Sequence, residues 1–234
     1  MRYGYYYGFD WTYLLVIVAL ILTLAVQAKM NSTFSKYSKI ASMSGMTGAM
    51  AAQKILESEG LYNVRVEHVS GSLTDHYDPR TKVVNLSDAV YAQRSLAAIG
   101  VAAHECGHAI QDAQDYQPLR LRTALVPAAN IGSTAAWPLF LFGLILSFRP
   151  LLTIGILLFC AALLFQIVTL PVEFNASHRA LKKLESTGLM ASTEITGSRK
   201  VLSAAAMTYV AAVASSLLQL LRLVLLAGGG RRRN

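Results

Sequence analysis

The stretch "VAAHECGHAIQ" (Val101–Gln111) holds two histidines four residues apart, with a glutamate directly after the first. A helix turns about 100° per residue, so His104 and His108 share one face and can aim imidazole nitrogens at one metal ion. Glu105 is displaced by one position and points beside that ion, where it can take a proton from a water. This is the mechanical content of H-E-x-x-H. The preceding "LAAIGVAA" carries no charge that would compete for the metal, and Gly107 leaves room for another element to pack closely. Two of the five histidines sit in this one motif, which argues against a chance match. A di-iron site would need a second E-x-x-H on a partner helix, and none of "EFNA", "ESTG" or "EITG" supplies one.

Catalytic zinc commonly has three protein ligands and a water. The remaining histidines, His68, His76 and His178, and the carboxylate of Glu173 are the candidates for the third. The choice depends on the elements that carry them, and these are written chiefly in uncharged runs. Hydrophobic residues make up 54% of the 234-residue chain and charged residues 15%, against about 25% charged in ordinary soluble domains. Mean hydropathy is +0.42. This composition predicts a membrane protein with a modest soluble part.

Trp11–Ala28 is an 18-residue uncharged run, just long enough to cross a hydrocarbon core of about 30 Å. Its N-terminal side is aromatic, with only Arg2 as a basic residue, so it reads as a retained anchor in residues 1–28 rather than a cleaved signal. A further 26 uncharged residues separate Arg122 from Arg149, and 23 more separate Arg149 from Glu173. "SFRPL" (Ser147–Leu151) between them predicts a tight turn, and hence a helical hairpin over 124–172. Two spans return the chain to the side it left, which puts Glu173 on the side of His104 and His108. A fourth apolar segment, Val201 to about Ala227, lies within 201–234 and is interrupted by Arg222; it reads as a span or as a helix on the membrane surface. "GGGRRRN" ends the chain as a basic tail.

The polar segment 29–123 carries a predicted helix over Met46–Glu59 that stops at Gly60, a strand at Asn63–Val69 and a second at Lys82–Leu86. A short β-hairpin is expected there, with Gly71–Thr74 as a candidate edge for binding an extended peptide. Ser87 and Ser95 are candidate N-caps, the latter opening a helix from Leu96 to Ala113. Residues 173–200 form a second polar segment, expected to run inward as a third-ligand helix. Cys106 and Cys160 give no disulfide framework. The net charge of +8 comes without aromatic-basic interleaving, so nucleic acid is not an expected partner; the lipid bilayer is.

"AAHECGHAIQ", "LPVEFNASHRAL" and "GSLTDHYDPRTKVVNLS", in their order along the chain, resemble the YugP-type membrane zinc metallopeptidases of bacteria. The likeness spans nearly the whole chain. More distantly the plan resembles HtpX-type and CAAX-prenyl membrane proteases, which are gluzincins. The resemblance implies a mainly α, multi-pass helical bundle with a small α+β zincin-like catalytic part. It implies one Zn2+ per chain bound by His104, His108 and Glu173, with Glu105 as general base. The distant relatives place an aspartate four residues after the ligand glutamate, where it orients a zinc histidine; here that residue is Ser177, and Asp112 is a candidate substitute. His178, His76 and Tyr77 are candidates for stabilising the transition state.

The function expected is therefore cleavage of peptide or membrane-protein substrates by a membrane zinc endopeptidase. The alternative is a non-catalytic membrane adaptor with a structural metal, which would not need Glu105. Lys29–Thr123 contains ten Lys/Arg and Glu173–Lys200 five, so the positive-inside rule predicts a cytoplasmic active site. Arg231, Arg232 and Arg233 would oppose that orientation if the fourth segment spans.

Overall fold

The structure, a computed structural model, describes residues 10–229; Arg2, most of the aromatic N-terminus and the Arg231–Arg233 tail lie outside them. Among the described residues, six helices and three strands follow one another as α1 (Tyr13–Ser38), α2 (Gly48–Ser58), β1 (Arg65–Val69), β2 (His76–Asp78), β3 (Val83–Ser87), α3 (Leu96–Ala113), α4 (Gln117–Ile145), α5 (Arg149–Ser186) and α6 (Ser192–Gly229). Helices α1, α4, α5 and α6 are long and apolar enough to cross a bilayer. The chain is a helical membrane protein with a small α+β part.

Two compact units share these long helices. One comprises described residues 10–25, 127–164 and 211–229. In it α4 and α5 meet through small residues: a Cβ on Gly132 would come within 2.5 Å of the Leu158 carbonyl oxygen, and one on Gly155 within 2.8 Å of the Phe140 nitrogen. Such close approach is the usual basis of helix association in lipid. Arg222, which interrupts the apolar face of α6, lies 4.0 Å from Asp10 and packs over the Tyr13 ring.

The second unit, residues 26–126 and 165–210, contains the polar chemistry. α2 starts at Thr47, whose side chain accepts from the Met50 N–H. It ends with Gly60 at φ 70° and the Leu61 N–H bonded to the Leu56 carbonyl, a Schellman closure that glycine makes cheap. α3 covers the expected span, because Ser95 caps it by accepting from the Ala98 N–H at 3.2 Å and its alanine-rich sequence favours helix. Ser87 caps nothing. It ends β3, and its N–H and hydroxyl both bond to Asp75.

The sheet differs from the expected hairpin. Its order is β1-β3-β2, with β1 parallel to β3 and β2 antiparallel to it. The two strands read from the sequence therefore pair in parallel, and the antiparallel hairpin is β2–β3, in register Tyr77 to Val84. β2 is an edge strand, whereas Gly71–Thr74 is a bend with positive φ at Gly71 and Leu73. Residues 173–200 are likewise not one helix: α5 ends at Ser186, Gly188 takes φ 65°, and α6 opens at Ser192. Glu194 there reaches back to the Ala191 N–H and accepts the Met43 N–H at 2.7 Å.

The core of this unit gathers Ile55 and Leu56 of α2, Leu86 of β3, Ile99 of α3 and Leu184 of α5, all fully buried. Each contributes about 1.5–3 kcal/mol by leaving water. α3 meets its neighbours through two glycines seven residues apart. A Cβ on Gly100 would press on Ser198 of α6 at 3.0 Å, and one on Gly107 would fall 2.5 Å from the Ala176 carbonyl oxygen of α5. Gly107→Ala must therefore push α3 and α5 apart, and is expected to lower stability by about 1–3 kcal/mol. Thermal unfolding of the detergent-solubilised protein measures this; an unchanged midpoint would mean that the helices do not need this approach.

Candidate active site

The Gly107 contact lays α3 against the part of α5 just beyond its uncharged run. His104 and His108 face Glu173 there. Their Nε2 atoms lie 3.3 and 3.7 Å from Glu173 Oε2. One ligand atom from each of the three residues falls within 4.8 Å of the others. Glu173 is 3% exposed and His108 8%, so the cluster is withdrawn from bulk water.

The far nitrogen of each imidazole is tied down. His104 Nδ1 is 3.1 Å from Ser177 Oγ, which places the serine to orient the ring. His108 Nδ1 is 3.0 Å from Gln111 Oε1. Gln111 Nε2 donates to the Val172 carbonyl oxygen at 2.8 Å and to Asn175 Oδ1 at 3.0 Å, and Asn175 Oδ1 also accepts from Arg179 Nε at 2.6 Å. A backbone carbonyl only accepts, which fixes the Gln111 amide with its oxygen towards His108. His108 Nδ1 must then carry the proton, and in the neutral ring Nε2 presents its lone pair towards Glu173.

Three electron-rich atoms thus converge, two of them on buried residues, and among the described residues Glu173 Oε2 has no hydrogen-bond partner. A buried carboxylate oxygen left so is costly, and a cation among the three removes the cost. Two imidazoles and a carboxylate suit Zn2+. The residues present therefore fit a zinc ion. The other carboxylate oxygen, Oε1, lies 3.6 Å from Arg122 Nη1.

Glu105 follows His104 on α3 and is 7% exposed. Burial pushes its carboxyl up to about 7; the Glu173 charge adds to the rise and His104 opposes it. A bound cation would draw it down again. Glu105, His104, Glu173 and Ser177 line a cavity of about 130 Å³, to which α6 contributes Tyr209.

The other sequence candidates lie elsewhere. His178 is exposed and lines a separate cavity with Glu59, Gln114 and Lys182. His68 bonds Asp88 at 2.6 Å on the surface. His76 is held on β2 by the Thr74 carbonyl and Asn85. Tyr77 donates to Asp112 at 2.7 Å; burial and then that bond push its phenol well above the ordinary tyrosine range. Asp112 also takes Lys82 Nζ, so it braces the sheet against α3 and does not orient a histidine. Gln111 does that instead. Gln111, Arg122 and Tyr209 were not legible as site residues. Only Gln111 left a signal, as a polar residue three positions after His108 on an apolar helix.

A family profile described as "Putative neutral zinc metallopeptidase" matches residues 12–228. The chain belongs to this family. It is also 51% identical over 220 residues to a Bacillus subtilis (strain 168) protein named "Putative membrane protease YugP", covering 94% of this chain and 98% of that relative. No solved structure matches the chain at a significant level.

For this zinc metallopeptidase family member, the His108–Gln111–Val172 chain makes a specific prediction. Gln111→Leu should weaken zinc retention by about 10–100-fold relative to wild type. Competition with a chromophoric chelator reads the difference. Equal affinity for wild type and Gln111→Leu would mean that the Nδ1 bond does not prepare the ligand.

Proposed function

We propose that this chain is an integral-membrane zinc endopeptidase of the gluzincin type, with His104, His108 and Glu173 as ligands and Glu105 as general base. One observation carries the reading: two imidazole Nε2 atoms and an unpartnered buried carboxylate oxygen converge beside Glu105, and His104, Glu105 and Glu173 line one cavity. A non-catalytic scaffold would have no use for a buried carboxylic acid at that place.

Zn2+ held by those three residues supplies Lewis acidity towards a peptide carbonyl and acidifies water. The chain's own groups do the rest. Ser177 and Gln111 hold the imidazoles in ligating orientation, and Arg122 balances the Glu173 charge. Glu105 takes a proton from the water that attacks the carbonyl carbon and passes it to the amide nitrogen as the C–N bond breaks. The oxyanion that develops needs a hydrogen-bond donor, and the Tyr209 hydroxyl is the group we assign, since that residue lines the same cavity. The free edge of β2 offers unpaired backbone groups to an extended substrate.

Glu173 follows the 23-residue uncharged run directly, so the substrates we infer are membrane proteins or segments near the bilayer. The Lys/Arg surplus of Lys29–Thr123 and Glu173–Lys200 favours the cytoplasmic side for the site.

Two variants separate the roles. Glu105→Gln should keep its zinc and lose about 10²–10⁴-fold in peptide cleavage, read with a quenched fluorescent peptide library and metal analysis of the same sample. Glu173→Ala should instead lose zinc. Full activity of the first would remove Glu105 as base; unchanged stoichiometry of the second would remove Glu173 as ligand.

A further inference from the structure

The inner stretch of α6 has a pattern that bilayer crossing alone does not require. Leu202, Ala205, Ala206 and Tyr209 follow the i, i+3, i+4, i+7 spacing of one helical face, and all four line the cavity that contains His104, Glu105 and Glu173. Val101, three residues before His104 on α3, Met30 of α1 and Leu73 of the bend before β2 complete its apolar walls. The Asp75 carboxylate reaches this cavity too, but its two oxygens already accept the Ser87 N–H and hydroxyl, at 2.7 and 2.9 Å. Away from the ligand end, then, the walls are apolar and Ala205 and Ala206 set their depth.

Size limits what can enter. The cavity measures about 130 Å³, and an apolar cavity of about 150 Å³ just accepts benzene. A branched or linear aliphatic side chain suits this space, and a larger aromatic ring would crowd it.

We propose that the α6 stripe, facing Val101, is the subsite for one substrate side chain next to the scissile bond, and that it selects aliphatic side chains of Val, Leu or Met size. The inference rests on the peptidase reading above. The occupant follows from continuity: a peptide whose carbonyl meets the His104–Glu173 cluster must place a neighbouring side chain in the same cavity. On this account α6 is a specificity wall as well as a membrane helix, and its small residues keep the subsite open.

The test uses full-length protein in detergent and a peptide library varied on both sides of the cleavage site, read by mass spectrometry. Wild type should prefer Val, Leu or Met at one flanking position. Ala205→Leu fills the cavity from α6 and should lower the kcat/KM ratio of Leu over Ala peptides at least about tenfold, the scale that one or two methylenes carry in such a pocket. Val101→Ala opens it from α3 and should admit Phe. Opposite shifts cannot arise from partial unfolding, which lowers every substrate together, and zinc content checks each variant. The same preference in all three proteins would assign the cavity to another occupant, such as a lipid acyl chain, and overturn the proposal. A zinc-loaded wild type that cleaves no peptide would overturn the peptidase reading, and this inference with it.

Discussion

A carboxylate oxygen buried without a hydrogen bond, 3.3 and 3.7 Å from two imidazole nitrogens, is the constraint around which the polar unit is organised. Left alone, such a group is expensive. Among the described residues no donor meets that oxygen in hydrogen-bond geometry. Its surroundings prepare both histidines instead, by engaging their far nitrogens with Ser177 and Gln111. Among the described residues, the formal positive charge paired with Glu173, on Arg122, faces its other oxygen. On the reading we propose, the site receives a cation, which agrees with membership of a zinc metallopeptidase family.

Packing enforces this geometry. Gly107 lies between the two histidine-bearing turns of α3 and lets the Ala176 backbone of α5 approach closely. Ala176 lies between Asn175, which anchors the Gln111 amide, and Ser177, which meets His104. The residue that permits contact between the helices and the residues that orient the ligands are therefore the same few positions. A change of volume at Gly107 would disturb the chemistry and the fold together.

Much of this was legible in the sequence where the determining forces are local. The Ser95 cap and the alanine-rich run gave α3 its bounds, and uncharged lengths gave the four long helices. The hairpin argument brought Glu173 to the histidines because two adjacent spans leave the chain little choice. Non-local pairings were not legible. Nothing in Asn63–Val69 or Lys82–Leu86 says that they pair in parallel, and β2 is only three residues long. Ser87 has the chemistry of an N-cap, but its hydroxyl is taken by Asp75, twelve residues earlier. Asp112 has the chemistry of an orienting carboxylate, but Tyr77 and Lys82 claim it. Arg122 and Tyr209 reach the site only through the folding of whole helices, so no short stretch announces them.

The central claim is that one cation is held by two imidazoles and one carboxylate, and X-ray absorption at the zinc edge of the purified full-length protein tests it most directly. The account predicts a shell of light nitrogen and oxygen atoms at about 2.0–2.1 Å, with the outer-shell scattering of two imidazole rings and no sulfur. A zinc–sulfur distance of about 2.3 Å, which would bring in Cys106 or Cys160, or a spectrum with no imidazole scattering, would contradict it.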